Sequence, residues 1–200
     1  MFTGILKLTS AAALGLGLMC SAASAVTVFD FTGSNTNLGP DETYVEDGIT
    51  LDVTSFGGNV FRTNSGIGVS GAPDGSRMGT GLSNGTVINE SLTFAFSPAV
   101  TLLSSIVFEH RDGVENFDIL DADGLVLGSF ALDNGRNNSS RQTISNLNFV
   151  GSEFTIRHTS GSGIRISELT VAAVPLPAGL PLALVRFGGL ALVARRRKFS

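Results

Sequence analysis

Between Val26 and Ala172, apolar residues recur at every second position in short runs, and no stretch of 12 residues carries the apolar stripe of a helix face. Ile49, Leu51 and Val53 alternate with Thr50, Asp52 and Thr54, and Leu92, Phe94 and Phe96 alternate with Ser91, Thr93 and Ala95. A period of two places alternate side chains on opposite faces of a strand, so one face is apolar and the other wet. The same reading predicts strands at 26–31, 59–62, 100–109, 116–121, 125–131, 142–149, 153–158 and 164–172, separated by clusters of Gly, Asn, Ser and Asp. Some ten short strands at this spacing indicate an all-β antiparallel β-sandwich, jelly-roll-like, rather than a parallel sheet covered by helices. Eleven phenylalanines in these 147 residues can furnish a self-sufficient core.

Charge is distributed unevenly. All 17 acidic residues fall between Asp30 and Glu168, where only seven arginines and no lysines oppose them, a net charge of −10. Such a body repels nucleic acid phosphates, so nucleic acid is not expected as a partner. The single cysteine, Cys20, lies in an apolar leader, which leaves the remaining chain without disulfide or thiolate metal chemistry.

Both ends read as addresses. Residues 1–25 contain Lys7, an apolar run through Leu18 and Met19, and the small residues Ala23, Ser24 and Ala25, the pattern of a secretory signal peptide cleaved before Val26. Met19 and Gly17 occupy the places where a lipoprotein leader has a small residue and a leucine before its cysteine. At the other end, residues 173–200 hold Val174, Pro175, Leu176, Pro177, Ala178 and Gly179, then an apolar segment over 180–194, then Arg195, Arg196, Arg197 and Lys198. The proline-rich stretch cannot be helical, the apolar segment is short for a membrane span, and four cations hold its far end in the cytoplasm. Arg186, inside the apolar segment, costs about 2.5 to 3.5 kcal/mol on insertion and makes the anchor weak.

This ordered tail closely resembles the VPLPA variant of the PEP-CTERM sorting signal of exported bacterial proteins. The resemblance covers 174–198 and implies recognition and cutting near the motif by a membrane-embedded exosortase-type transpeptidase, after export by the secretion machinery. Arg186 departs from the family pattern, which has an aliphatic or small residue there. Within the body, Gly66-Ile67-Gly68-Val69, Asn89 to Phe96, Val100-Thr101-Leu102 and Phe117 to Gly124 are similar to the globular parts of other PEP-CTERM proteins. That likeness agrees with a jelly roll and carries no activity with it.

Several groups are candidates for chemistry. Glu109, His110, Arg111, Asp112, Glu115 and Asn116 place acids, an imidazole and a guanidinium within eight residues, from which a hydrolase could draw its acid and base. Asp112-Gly113 is a turn signal, and the patch reads as a solvated turn. His158 shares a strand face with Phe154 and Ile156 and reads as a partly buried packing residue. No Gly-x-Ser-x-Gly elbow with a strand before it and a helix after it is present. Asp118, Asp121 and Asp123 offer hard oxygen ligands suited to Ca²⁺, but Ser129 stands where an EF-hand loop has its twelfth-position glutamate. Asp123-Gly124 equally marks a hairpin turn, which is the preferred reading. Gly66 to Gly71 reads as a loop glycine cluster, because no helix follows to receive a phosphate. Tyr44 is the only tyrosine and there is no tryptophan, so the usual aromatic platform for sugars is lacking.

The resulting expectation is a non-enzymatic exported bacterial surface or extracellular-matrix protein, transiently anchored in the membrane and then displayed or released. The alternative is a carbohydrate-binding module acting on exopolysaccharide, and a distant third is a glycoside or ester hydrolase. No cofactor is expected beyond the candidate Ca²⁺.

Overall fold

A computed structural model describes residues 25–71, 77–83, 86–97, 101–110, 113–133 and 140–174. Ala23, the sorting signal from Pro175 onward, Arg111 and Asp112 lie outside the described residues. Alternation becomes fifteen strands: β1 Val26–Asp30, β2 Thr36–Gly39, β3 Asp41–Glu46, β4 Ile49–Phe56, β5 Asn59–Thr63, β6 Gly66–Ser70, β7 Thr80–Ser83, β8 Thr86–Asn89, β9 Ser91–Ser97, β10 Thr101–His110, β11 Val114–Asp121, β12 Val126–Asp133, β13 Ser140–Gly151, β14 Glu153–Ser160 and β15 Ile164–Ala173. The described residues contain no helix.

Two large antiparallel sheets form. The first runs β13-β10-β15-β6-β5-β2, with β1 also on β15; the second runs β12-β11-β14-β9-β4-β3, and β7 and β8 make a small hairpin of their own. β10 lines one edge of β15 from Thr101↔Ala173 to His110↔Ile164. The other edge is shared, with β1 covering Glu168 to Ala172 and β6 meeting it at Ile166. From β9 onward the chain repeatedly changes sheet, which brings the two apolar faces together as an antiparallel sandwich.

The apolar phase of each strand fills the core. Phe29, Phe31, Phe94, Phe108, Phe117 and Phe154 are at most 1% exposed, among Leu51, Ile67, Leu92, Leu103 and Ile106. The rings engage one another: Phe108 and Phe117 lie 4.5 Å apart between centroids, and Phe117 stacks on Phe130 at 5.4 Å. Burying one such side chain contributes about 1.5 to 3 kcal/mol, so this cluster supplies the stability expected of a core built without disulfides.

Two features differ from the sequence reading. Gly66 to Gly71 is not a loop: Gly66–Ser70 is a strand, and its first four residues are buried. Burial on both faces removes the alternation that marks a strand in sequence. Gly66 has φ +122°, and a Cβ there would sit 2.2 Å from the Ile166 carbonyl oxygen, so the glycine permits β15 to approach. The short strands β2 and β3, at the edges of their sheets, and the separate β7-β8 hairpin also escaped the pattern; an edge strand such as Asp41–Glu46 is wet along most of its length.

The registers define two poles. Val26, Ala173, Gly151, Glu153 and the turns at Asp47-Gly48 and Ala122-Asp123 lie at the one we term the entry pole. The far pole carries the connections after Phe56, His110 and Ser160.

Candidate functional site

At the far pole, β11 and β14 turn Glu115 and His158 into the sandwich, and each is fully buried. The loop Gly161-Ser162-Gly163 closes around the carboxylate. Glu115 Oε1 accepts hydrogen bonds from the Ser162 amide (2.8 Å) and Oγ (2.7 Å); Oε2 accepts from the Gly163 amide (2.8 Å) and lies 3.0 Å from His158 Nε2. Burial pushes the carboxyl pKa up, but the bonds from His158, Ser162 and Gly163 outweigh it and hold Glu115 below the usual range. An ionised carboxylate only accepts, so His158 Nε2 carries the hydrogen. His158 is therefore not a partly buried packing residue but the partner of a carboxylate 43 positions away.

Of the neighbouring patch, Glu109, His110, Glu115 and Asn116 lie in strands rather than in a solvated turn, while Arg111 and Asp112 lie outside the described residues. Glu109 and His110 end β10, with His110 fully buried. Glu109 Oε2 accepts from Arg165 Nη1 at 3.1 Å and lies 3.5 Å from Arg77 Nη2. Arg77 Nη1 in turn donates to the Gly163 carbonyl at 3.4 Å. Burial pushes His110 below its ordinary value, against the pull of Glu115 and a bond to Gln142. Glu90, also fully buried, accepts from the Gly79 amide at 2.8 Å. Chemically, this network spends its acids on protein donors and joins β10, β11, β14, β15 and the segment at 77–79.

The three aspartates of the hairpin part company. Asp118 faces outward on β11, where its oxygens accept from Ser129 Oγ (2.6 Å) and Arg157 Nη2 (2.8 Å). Burial raises its pKa, but these bonds prevail and lower it. Asp121 Oδ1 instead accepts the amides of Asp123 and Leu125, organising the turn between β11 and β12. Among the described residues no group of three or more His, Cys, Asp or Glu is placed to hold a metal ion. Tyr44 is no platform for a sugar: its ring meets Phe31 edge-on at 5.1 Å, and its buried hydroxyl, without a hydrogen-bond partner, is pushed up to about 12, chiefly by desolvation.

The outward face of the β12-β11-β14-β9-β4-β3 sheet is more accessible. Along β9 the outward phase holds Ser91, Thr93, Ala95 and Ser97, all small, opposite the inward Leu92, Phe94 and Phe96; Ser91 is buried, Thr93 and Ala95 are partly exposed and Ser97 is exposed. Taller side chains stand on both neighbours: Asp52 and Phe56 on β4, Glu153 and Arg157 on β14. The result is a trough with β9 as its floor, walled towards its two ends and low-sided between them, where Thr54, Thr93 and Thr155 line up. Phe56 is 65% exposed, and register lines it up with Ser91, Arg157, Asp118 and Ser129 across five strands. Thr93 and Thr155 share a hydroxyl bond of 2.8 Å on the floor. The sequence did carry a signal for Phe56: it falls in phase with Thr50, Asp52 and Thr54, an aromatic on the polar face of its strand.

No protein-family model matches the chain. No curated protein matches it. Among solved structures the chain is similar to BiXyn10A CBM1, a carbohydrate-binding module in its apo form, at 13% identity, covering 74% of this chain and 96% of that one, with a TM-score of 0.22.

Proposed function

We propose that this chain is an exported bacterial surface or extracellular-matrix protein, carried out by the secretion machinery, held transiently by its C-terminal segment and processed by an exosortase-type transpeptidase. Its β-sandwich, for which the repeated crossing between sheets supports a jelly-roll winding, then serves interaction rather than catalysis. One observation carries the reading. The compact unit spans Ser24–Val174, so it begins beside the leader's cleavage residues Ala23 and Ala25 and ends on the first residue of the sorting motif. Everything outside it in this sequence belongs to the two segments read as addresses.

Mass spectrometry of the protein exported by a strain carrying such a transpeptidase tests this. The expected product starts at Val26 and ends within the Val174 to Gly179 motif. An intact Met1, a diacylglyceryl group on Cys20, or retention of Arg195 to Lys198 would count against it.

A carbohydrate-binding role is the second reading, favoured by the exposed ring of Phe56 in line with the Arg157–Asp118 pair. An aromatic face receives the apolar face of a sugar ring, while a guanidinium and a carboxylate hydrogen-bond its hydroxyls. The hydrolase reading has no such support, since Glu115 and His110 are fully buried; it would require an activity lost on replacing Glu109 or His110.

A further inference from the structure

Resting on the carbohydrate-binding reading, we infer that the trough along β9 is the binding site and that its ligand is an uncharged linear polysaccharide, laid parallel to the strand. Three observations converge on this chemistry. The accessible floor, Thr93, Ala95 and Ser97, is made of small hydroxyl and methyl groups, so a chain of sugar rings can lie flat on it; the five residues from Thr93 to Ser97 extend about 16 Å. One wall ends in an exposed phenylalanine, a stacking surface at one end of the trough. The charge of the walls then selects among glycans. Arg157 is the only arginine or lysine on this face among the described residues, and Asp118 already meets its charge at 2.8 Å. Asp52 is exposed and Glu153 partly so, with Thr43 Oγ1 donating to Asp52 at 2.6 Å. These two carboxylates accept hydrogen bonds from sugar hydroxyls and repel uronate or sulfate groups, which excludes an acidic polysaccharide.

Biolayer interferometry of the full-length chain in mild detergent, on immobilised hydroxyethylcellulose, galactomannan, dextran and alginate, tests the assignment. At least one of the three neutral polymers is expected to retain the protein, and alginate is not. Phe56→Ala should weaken retention about tenfold, and Thr93→Arg, which fills the floor, should abolish it. Ser145→Arg, on the other sheet, should leave it unchanged. Thermal melts of each variant establish that the fold persists; Phe56→Ala and Thr93→Arg alter outward-facing positions and leave the core intact. Retention on a neutral polymer that both trough variants preserve would overturn the site while leaving the carbohydrate reading standing. Absence of retention on every polymer would overturn both, and stronger retention on alginate would overturn the charge argument.

Discussion

An ionised carboxylate taken out of water costs several kcal/mol unless donors replace its hydration. At Glu115 four donors do so, three of them from one loop, and the loop fits only because residue 161 is glycine. Gly161 has φ +123°, and a Cβ there would lie 2.1 Å from Glu115 Oε2. Glu115→Gln turns an acceptor-only group into one that presents an NH₂ to these donors, and is expected to lower the unfolding free energy by about 3 kcal/mol in guanidinium titrations. The pH dependence has a definite sign. His110 has a lowered folded pKa, so its contribution is complete above its ordinary 6.5 and declines as the pH falls below that value. Glu115, also lowered, contributes above its ordinary 4.5 and loses that contribution as the pH falls through its folded value. The melting temperature should therefore fall in two stages on acidification, and His110→Gln should remove only the upper one. The inward direction of His158 was legible from its phase with Phe154 and Ile156. Its partner was not, because a pairing across 43 residues depends on how β14 and β11 register, which local pattern does not encode.

Among the strands, β13 has the most to guard, being the twelve-residue edge of its sheet with β10 as its neighbour. A long straight edge invites pairing with another chain. Here Asn146 and Asn148 adopt φ of 60° and 55°, and the register against β10 slips between Leu103 and Ser105. Asparagine tolerates the left-handed region that β-branched residues avoid, so these two positions bend the edge while Leu147 still reaches the core at 8% exposure. Asn146→Val with Asn148→Val is expected to cost about 2 kcal/mol of stability and to promote self-association, read by denaturant unfolding and light scattering. Sequence alternation placed a strand over 142–149 but showed no bend, since asparagine in a strand pattern looks like any polar residue on the wet face. Conversely, the hairpin turn after Asp121 was legible, because Asp-Gly chemistry is local: the side chain of Asp121 accepts amides only two and four residues ahead.

Over the whole molecule, opposite charges do not mix evenly. Arg77, Arg141, Arg157 and Arg165 each meet a carboxylate away from the entry pole. Glu46, Asp47, Asp121, Asp123 and Glu153 gather at that pole, with no arginine or lysine among the described residues there. Screening by salt should relieve this repulsion without discriminating between ions. Thermal melts in calcium, magnesium and sodium chloride at matched ionic strength are therefore expected to rise together. A rise in calcium alone, abolished by Asp121→Asn with Asp123→Asn, would instead establish a metal at Asp118, Asp121 and Asp123. The all-β class and most of the core were legible at this scale, because they follow from alternation and from the body's phenylalanines, seven of which are buried. The order of strands in the two sheets was not, since it depends on contacts far apart along the chain.

The position of β15 also has a mechanical consequence. The folded unit hands its chain to the C-terminal segment from the end of this strand, which is held by β10 along one edge and by β1 and β6 along the other. The rungs to its neighbours lie across the strand axis, so tension applied at Val174 along that axis would act at right angles to them. Such a pull loads many rungs together in shear, whereas a tether leaving crosswise from an outer strand would part them one after another. Pulled along its own axis, β15 would thus resist with the rungs of both edges at once.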